Sequence, residues 1–78
     1  MHMYYFITEL QKRPDGIVNN TLTTRSTLAN GLSYYYDRAS KAVANDSFVS
    51  VALTLQDERG TIIKNECFTM AEYTEQMN

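Results

Sequence analysis

The side chains that most often carry enzymatic chemistry are scarce in this sequence. It contains one histidine, His2, and one cysteine, Cys67. Nucleophilic catalysis needs a nucleophile, a base and a group that orients the base, and zinc sites need several cysteine or histidine ligands at defined spacing. One residue of each type supplies neither arrangement. We therefore predict no catalytic residue, no metal site, no cofactor and no enzymatic activity.

Charged side chains and glycines are the remaining candidates for chemistry. Lys64 and Glu66 lie two residues apart in a predicted strand, and residues 57–59 form a charged turn. Solvated charge pairs of this kind contribute little to stability, so we interpret the Lys64–Glu66 pair and the charged turn as exposed surface rather than as a functional site. The three glycines are isolated from one another, which excludes a glycine-rich phosphate loop.

The composition indicates one small globular domain, residues 1–78. Apolar residues make up 44% of the chain, which is too many for a disordered protein. The sequence lacks both a signal-peptide pattern and an apolar run approaching the ~18 residues of a membrane span, and its single cysteine suits a reducing compartment, so we expect a cytoplasmic protein without a membrane partner. The net charge is −2 and the basic residues are scattered, which argues against nucleic acid as the main partner.

Four segments have the composition or the alternating pattern of strands: residues 3–11, 17–23, 48–56 and 61–68. Pro14 and Gly16 predict a turn between the first two, and Gly60 predicts a left-handed bulge between the last two. If Leu55 lies across from Ile63, alternation places Cys67 in the core as a small apolar group.

One helix is predicted between the second and third strands, starting near Thr24 or Ser26 and ending at residues 45–47. Its apolar residues recur on one face. Within the run of three tyrosines, helical geometry predicts that Tyr35 is core, that Tyr36 lies at the boundary, and that Tyr34 is spare surface. A short terminal helix is predicted over residues 69–77.

The resulting fold class is α+β, with the order ββαββ(α). We predict a four-stranded antiparallel sheet of order 2-1-3-4, because the first and third strands are the most apolar and suit the centre. One main helix packs on one face. The sequence leaves open which face of the first strand is buried.

One helix cannot cover both faces of such a sheet. The expected interaction surface consists of Tyr4, Phe6, Phe48, Ile62 and Phe68 on the uncovered face, together with Tyr34. Contiguous apolar surface rarely stays in water, so we expect a protein partner or a second copy in a homodimer. Two alternatives remain: a single-stranded nucleic-acid binder that stacks bases on the sheet aromatics, and a small-molecule binder.

The segments at 4–9, 36–44 and 57–68 together resemble small ββαββ proteins of unknown function that are encoded on phages and mobile elements of gut Firmicutes. The shared features are the strand YYFITE, the second half of the helix, and the Asp-x-x-Gly turn with its following strand. The resemblance implies a bacterial or phage protein of the cytoplasm, such as an accessory factor of the mobile element. It implies no activity or catalytic residue.

Overall fold

The computed structural model describes residues 3–45 and 47–69, which form four strands and one helix. The elements are β1 (Tyr5–Lys12), β2 (Val18–Arg25), α1 (Leu28–Val43), β3 (Ser50–Asp57) and β4 (Ile62–Thr69). All three strand pairs are antiparallel, and the sheet order is β2-β1-β3-β4. The predicted α+β fold and strand order are confirmed. The predicted terminal helix lies outside the described residues, apart from Thr69, which ends β4.

Both hairpin turns depend on a glycine with positive φ. Gly16 has φ 89° and Gly60 has φ 88°, a backbone region that glycine adopts without steric cost. In the second turn, the Asp57 carboxylate accepts hydrogen bonds from the backbone N–H groups of Arg59 and Thr61 at 2.9 and 3.0 Å. The predicted turns are confirmed, and they fix the register of each hairpin.

The helix begins later than the predicted start at Thr24 or Ser26. Its N-cap is Thr27, whose side-chain oxygen accepts a hydrogen bond from the Asn30 N–H at 3.1 Å. β2 continues through Arg25 because pairing with β1 keeps this segment extended. Several serines and threonines in the segment are good caps, so tertiary pairing selects the one that is used.

The core lies between α1 and one face of the sheet. Tyr35 is 0% exposed, and the apolar side chains of β3 that alternate beneath it, Val51, Leu53 and Leu55, are also buried. The prediction for Tyr35 is confirmed. Ile7 of β1 is buried with them, so the side chains of odd-numbered β1 residues face the helix.

A β-bulge interrupts the pairing of β3 with β4. Leu55 pairs with Lys64, whereas the next residue, Gln56, pairs with Ile62, so that Ile63 is an extra residue in β4. An extra residue in one strand reverses the faces to which all following side chains point. Ile63 packs against the core, and Ile62 lies on the opposite face.

The bulge overturns two predictions about β4. Phe68 was expected on the uncovered face, but it pairs with Val51, is only 9% exposed and belongs to the core beneath α1. Cys67 was expected in the core, but it pairs with Ala52 and is exposed on the other face. Both errors have one physical cause, the single-residue shift at Ile63.

The prediction for Tyr34 was also wrong. Tyr34 is half-buried and packs against the core, whereas Tyr36 is 51% exposed. The hydroxyl of Tyr34 accepts a hydrogen bond from the Thr23 hydroxyl at 3.1 Å, and the Arg25 guanidinium lies 4.7 Å from the ring centroid. The helical angle alone does not distinguish the two sides of Tyr35. Because α1 contacts β2 as well as β1 and β3, the sheet covers the side of the helix that carries Tyr34.

Candidate interaction surface

The sheet face turned away from α1, called the open face below, presents sixteen side chains in four rows of four. The strand registers place one residue of each strand in every row. From β2 to β4, the rows are Thr24, Phe6, Gln56 and Ile62; Leu22, Thr8, Thr54 and Asn65; Asn20, Leu10, Ala52 and Cys67; and Val18, Lys12, Ser50 and Thr69.

The open face is almost free of charge. Lys12, at one end of β1, is the only charged residue among the sixteen. The opposite face of the same strands carries five charged residues: Glu9, Arg25, Asp57, Lys64 and Glu66. A sheet face that remains in water usually carries polar and charged side chains, whereas the centre of a protein–protein interface is depleted of charge. The open face shares this depletion of charge, although nine of its sixteen residues are polar.

Large apolar side chains are spread over this face, with Leu10 on the central strand β1 and others on the edge strands. Leu22, Val18 and Ile62 are all more than half exposed, and Leu22 reaches 63%. The two middle rows place Thr8, Thr54 and Ala52 on the central strands beside Leu10. Large and small side chains that alternate in this way give an uneven surface against which a second sheet could pack.

The structure keeps three of the six predicted surface residues on or beside this face. Phe6 and Ile62 lie in one row, and Tyr4 is exposed immediately before β1. Phe48 is corrected together with Phe68 and Tyr34: it lies before β3, outside the strand alternation, and packs half-buried against the core.

The sequence reasoning missed the contribution of β2 to the surface. Leu22 and Val18 were not among the predicted residues, because the two asparagines of the strand obscured its pattern. The spacing of the two residues by four, with both in the same strand, was the available signal for a shared face.

On the helix side, an ion pair fastens α1 to the sheet. The Arg38 guanidinium donates two hydrogen bonds to the Glu9 carboxylate, at 2.6 and 2.8 Å, and the Gln11 side-chain amide donates a third. Glu9 is only 5% exposed. The hydrogen bonds from Arg38 hold the pKa of Glu9 below its ordinary value, although burial acts in the opposite direction.

A second polar contact joins the helix to β4. The Tyr35 hydroxyl donates a hydrogen bond to the Glu66 carboxylate at 2.9 Å, and the Lys64 ammonium lies 5.6 Å from the Tyr36 ring centroid. Burial raises the pKa of Tyr35, and the bond to Glu66 raises it further. The side chains of Lys64 and Glu66, expected to be surface decoration, therefore contribute to helix packing.

Two of the grooves formed by the described residues lie beside the helix. One, of about 180 Å³, lies beside the Glu9–Arg38 pair and is smaller than common ligand sites. The other, of about 380 Å³, lies between α1 and β2, where Arg25 and Tyr34 contact each other.

Within residues 3–45 and 47–69, no three His, Cys, Asp or Glu side chains are grouped to hold a metal ion. In the same ranges, no helix has the length and apolarity needed to cross a membrane.

Comparison of the chain with protein-family models, curated proteins and solved structures found no match. The resemblance to phage-encoded ββαββ proteins therefore stays a prediction.

Proposed function

We propose that this protein acts by protein–protein association through the open face, and that its partner on this face is a second copy of the chain. The observation that carries the proposal is the charge distribution: one charged residue among sixteen on the open face, against five on the helix side of the same strands. A role as an accessory factor of a phage or mobile element would use such an assembly in the cytoplasm.

The size of the face is sufficient for a dimer. Four strands of eight residues, about 4.8 Å apart with about 3.3 Å per residue, cover roughly 500 Å² in projection. Two such faces packed together would bury roughly 1,000 Å² in total, the lower limit for a specific interface. Because the face is nearly uncharged, two copies can approach without electrostatic repulsion, and a two-fold axis lying parallel to the sheets would bring identical surfaces together.

The same observation favours protein association over the binding of single-stranded nucleic acid. Proteins that stack bases on a sheet usually add a positively charged groove for the backbone. Lys12 is the only basic residue among the sixteen side chains of the open face. Association through this face should therefore depend weakly on salt, whereas nucleic-acid binding would weaken steeply as salt rises.

Replacing Thr54 by arginine tests the proposal. Thr54 lies in a middle row of the open face, between Thr8 and Asn65, and its side chain points away from the core. The wild-type chain should associate at micromolar concentration in sedimentation equilibrium. Thr54→Arg should raise the dissociation constant of the open-face contact about 100-fold or more, because a buried, unpaired charge costs several kcal/mol.

Ser40→Arg is the matched control, since Ser40 is exposed on α1. This variant should associate like the wild type. A wild-type chain that remains monomeric at every concentration, or equal association of the two arginine variants, would contradict the proposal.

A further inference from the structure

The two edges of the sheet differ in how they are protected against pairing with another strand. Natural edge strands are usually interrupted by bulges or carry charges. β4 has the bulge at Ile63 and two charged residues, Lys64 and Glu66. β2 pairs with β1 along all eight residues without a bulge, contains no proline, and its only charged residue is Arg25 at its end.

Hydrogen bonding identifies the backbone groups that β2 turns outward. The Arg13 N–H donates to the Ile17 carbonyl at 2.8 Å, one residue beyond the end of the β1–β2 ladder. Antiparallel pairs alternate between bonded and non-bonded. The odd-numbered residues of β2 therefore bond to β1, and the even-numbered residues direct N–H and C=O groups outward. Consistently, the carbonyl of Thr24 accepts a hydrogen bond from the Arg25 side chain at 3.0 Å.

We infer that β2 pairs with β2 of another copy, in antiparallel orientation, about a two-fold axis perpendicular to the sheet. Such an axis keeps both helices on one side of the joint sheet and places residues of the same face opposite each other. The hydrogen bonds between the two copies of β2 then form at the even-numbered residues, whose backbone N–H and C=O groups point outward. This contact is separate from the open-face contact, and its axis is perpendicular to the axis of that contact, so both can form in one assembly.

The side chains favour a register in which Leu22 lies opposite Leu22 of the second copy. Leu22 is the most exposed large apolar side chain among the described residues, and this register covers it with its own equivalent. Asn20 then lies opposite Thr24, and Thr21 opposite Thr23; threonine pairs are favourable across antiparallel strands. Arg25, the only charged residue of the strand, lies opposite the neutral Asn19, so like charges do not meet.

Disulfide trapping tests both the contact and its register. Every variant carries Cys67→Ser, which removes the native thiol, and Thr54→Arg, which disrupts the open-face contact and so prevents cross-links through that face. In the proposed register the two Leu22 Cα atoms lie about 5.5 Å apart, within the range of a disulfide. Leu22→Cys should therefore form a covalent dimer under mild oxidation, measured on non-reducing gels.

Asn20→Cys is the matched control on the same strand and face. Its two copies would lie roughly 13 Å apart, four residues along the strand, which is beyond the reach of a disulfide. We expect Asn20→Cys to cross-link at least tenfold more slowly than Leu22→Cys. A mixture of the Asn20→Cys protein with the Thr24→Cys protein should form a covalent mixed dimer rapidly, because these two residues lie opposite each other in the proposed register. Equal rates for Leu22→Cys and Asn20→Cys would overturn the inference. Because Thr54→Arg is present throughout, the result does not depend on the open-face proposal.

Discussion

Tyr35→Ala is expected to lower the free energy of unfolding by about 3 kcal/mol, the usual scale for truncating a large buried side chain. Tyr35 is wholly buried between α1 and the sheet, and it also donates the hydrogen bond to Glu66 that joins the helix to β4. The free energy of unfolding of a small domain is roughly 5–15 kcal/mol, so the variant should lose a large part of its stability. Urea denaturation of the variant and the wild type measures the difference.

The neighbouring tyrosines supply the controls. Tyr36→Ala should change stability by less than about 1 kcal/mol, since the ring is half exposed and contacts the edge of Tyr35 with its centroid 5.7 Å away. Tyr35→Phe should lose about 1 kcal/mol, the usual contribution of one hydrogen bond, because it keeps the ring and removes the bond to Glu66. Equal losses for Tyr35→Ala and Tyr36→Ala would show that the buried face of the helix has been misplaced.

Arg38→Met is expected to cost about 2 to 3 kcal/mol at neutral pH. The substitution keeps an apolar stem of similar length but leaves the buried Glu9 carboxylate with the Gln11 amide alone. Breaking a buried ion pair by removing one partner costs about 3–5 kcal/mol, and the partial exposure of Arg38 places this case at the lower end. Asp37→Asn, which removes the exposed pair with Lys41, should change stability by less than about 1 kcal/mol.

The dependence of stability on pH tests whether the Glu9–Arg38 ion pair is the cause of the stability lost in Arg38→Met. The pKa of Glu9 is lower in the folded protein than its ordinary value of 4.5, so the unfolded chain takes up its proton first as the pH falls. The stabilisation is therefore present above pH 4.5 and is lost as the pH falls through the folded-state pKa. Glu9→Gln should lose less stability than the wild type across this range. A double variant Glu9→Gln, Arg38→Met that costs the sum of the two single changes would contradict direct coupling.

Much of the fold could be predicted because several local signals in the sequence agree. The strand pattern of residues 50–57, the turn glycines Gly16 and Gly60, and the spacing of apolar residues in the helix all indicate the same ββαββ order. The polarity of the outer strands then gave the sheet order. These signals depend on neighbours in sequence, and tertiary contacts do not override them.

The composition of the candidate surface was harder to predict, because it depends on registers and placements that sequence periodicity cannot determine. One bulge at Ile63 moved Phe68 into the core and Cys67 onto the open face. The adjacent isoleucines, Ile62 and Ile63, were the available sign that alternation breaks there. The position of α1 across the sheet covered Tyr34 instead of Tyr36, and no property of the helix alone distinguishes those flanks.

The most direct test of self-association through the open face uses Cys67, the only cysteine of the chain, which lies exposed on that face. Its rate of alkylation by a maleimide reagent should fall as the protein concentration is raised through the association range measured by sedimentation. In Thr54→Arg the rate should stay high at every concentration. A wild-type rate that does not change while the protein associates would contradict the claim, because the open face would then remain accessible in the assembly.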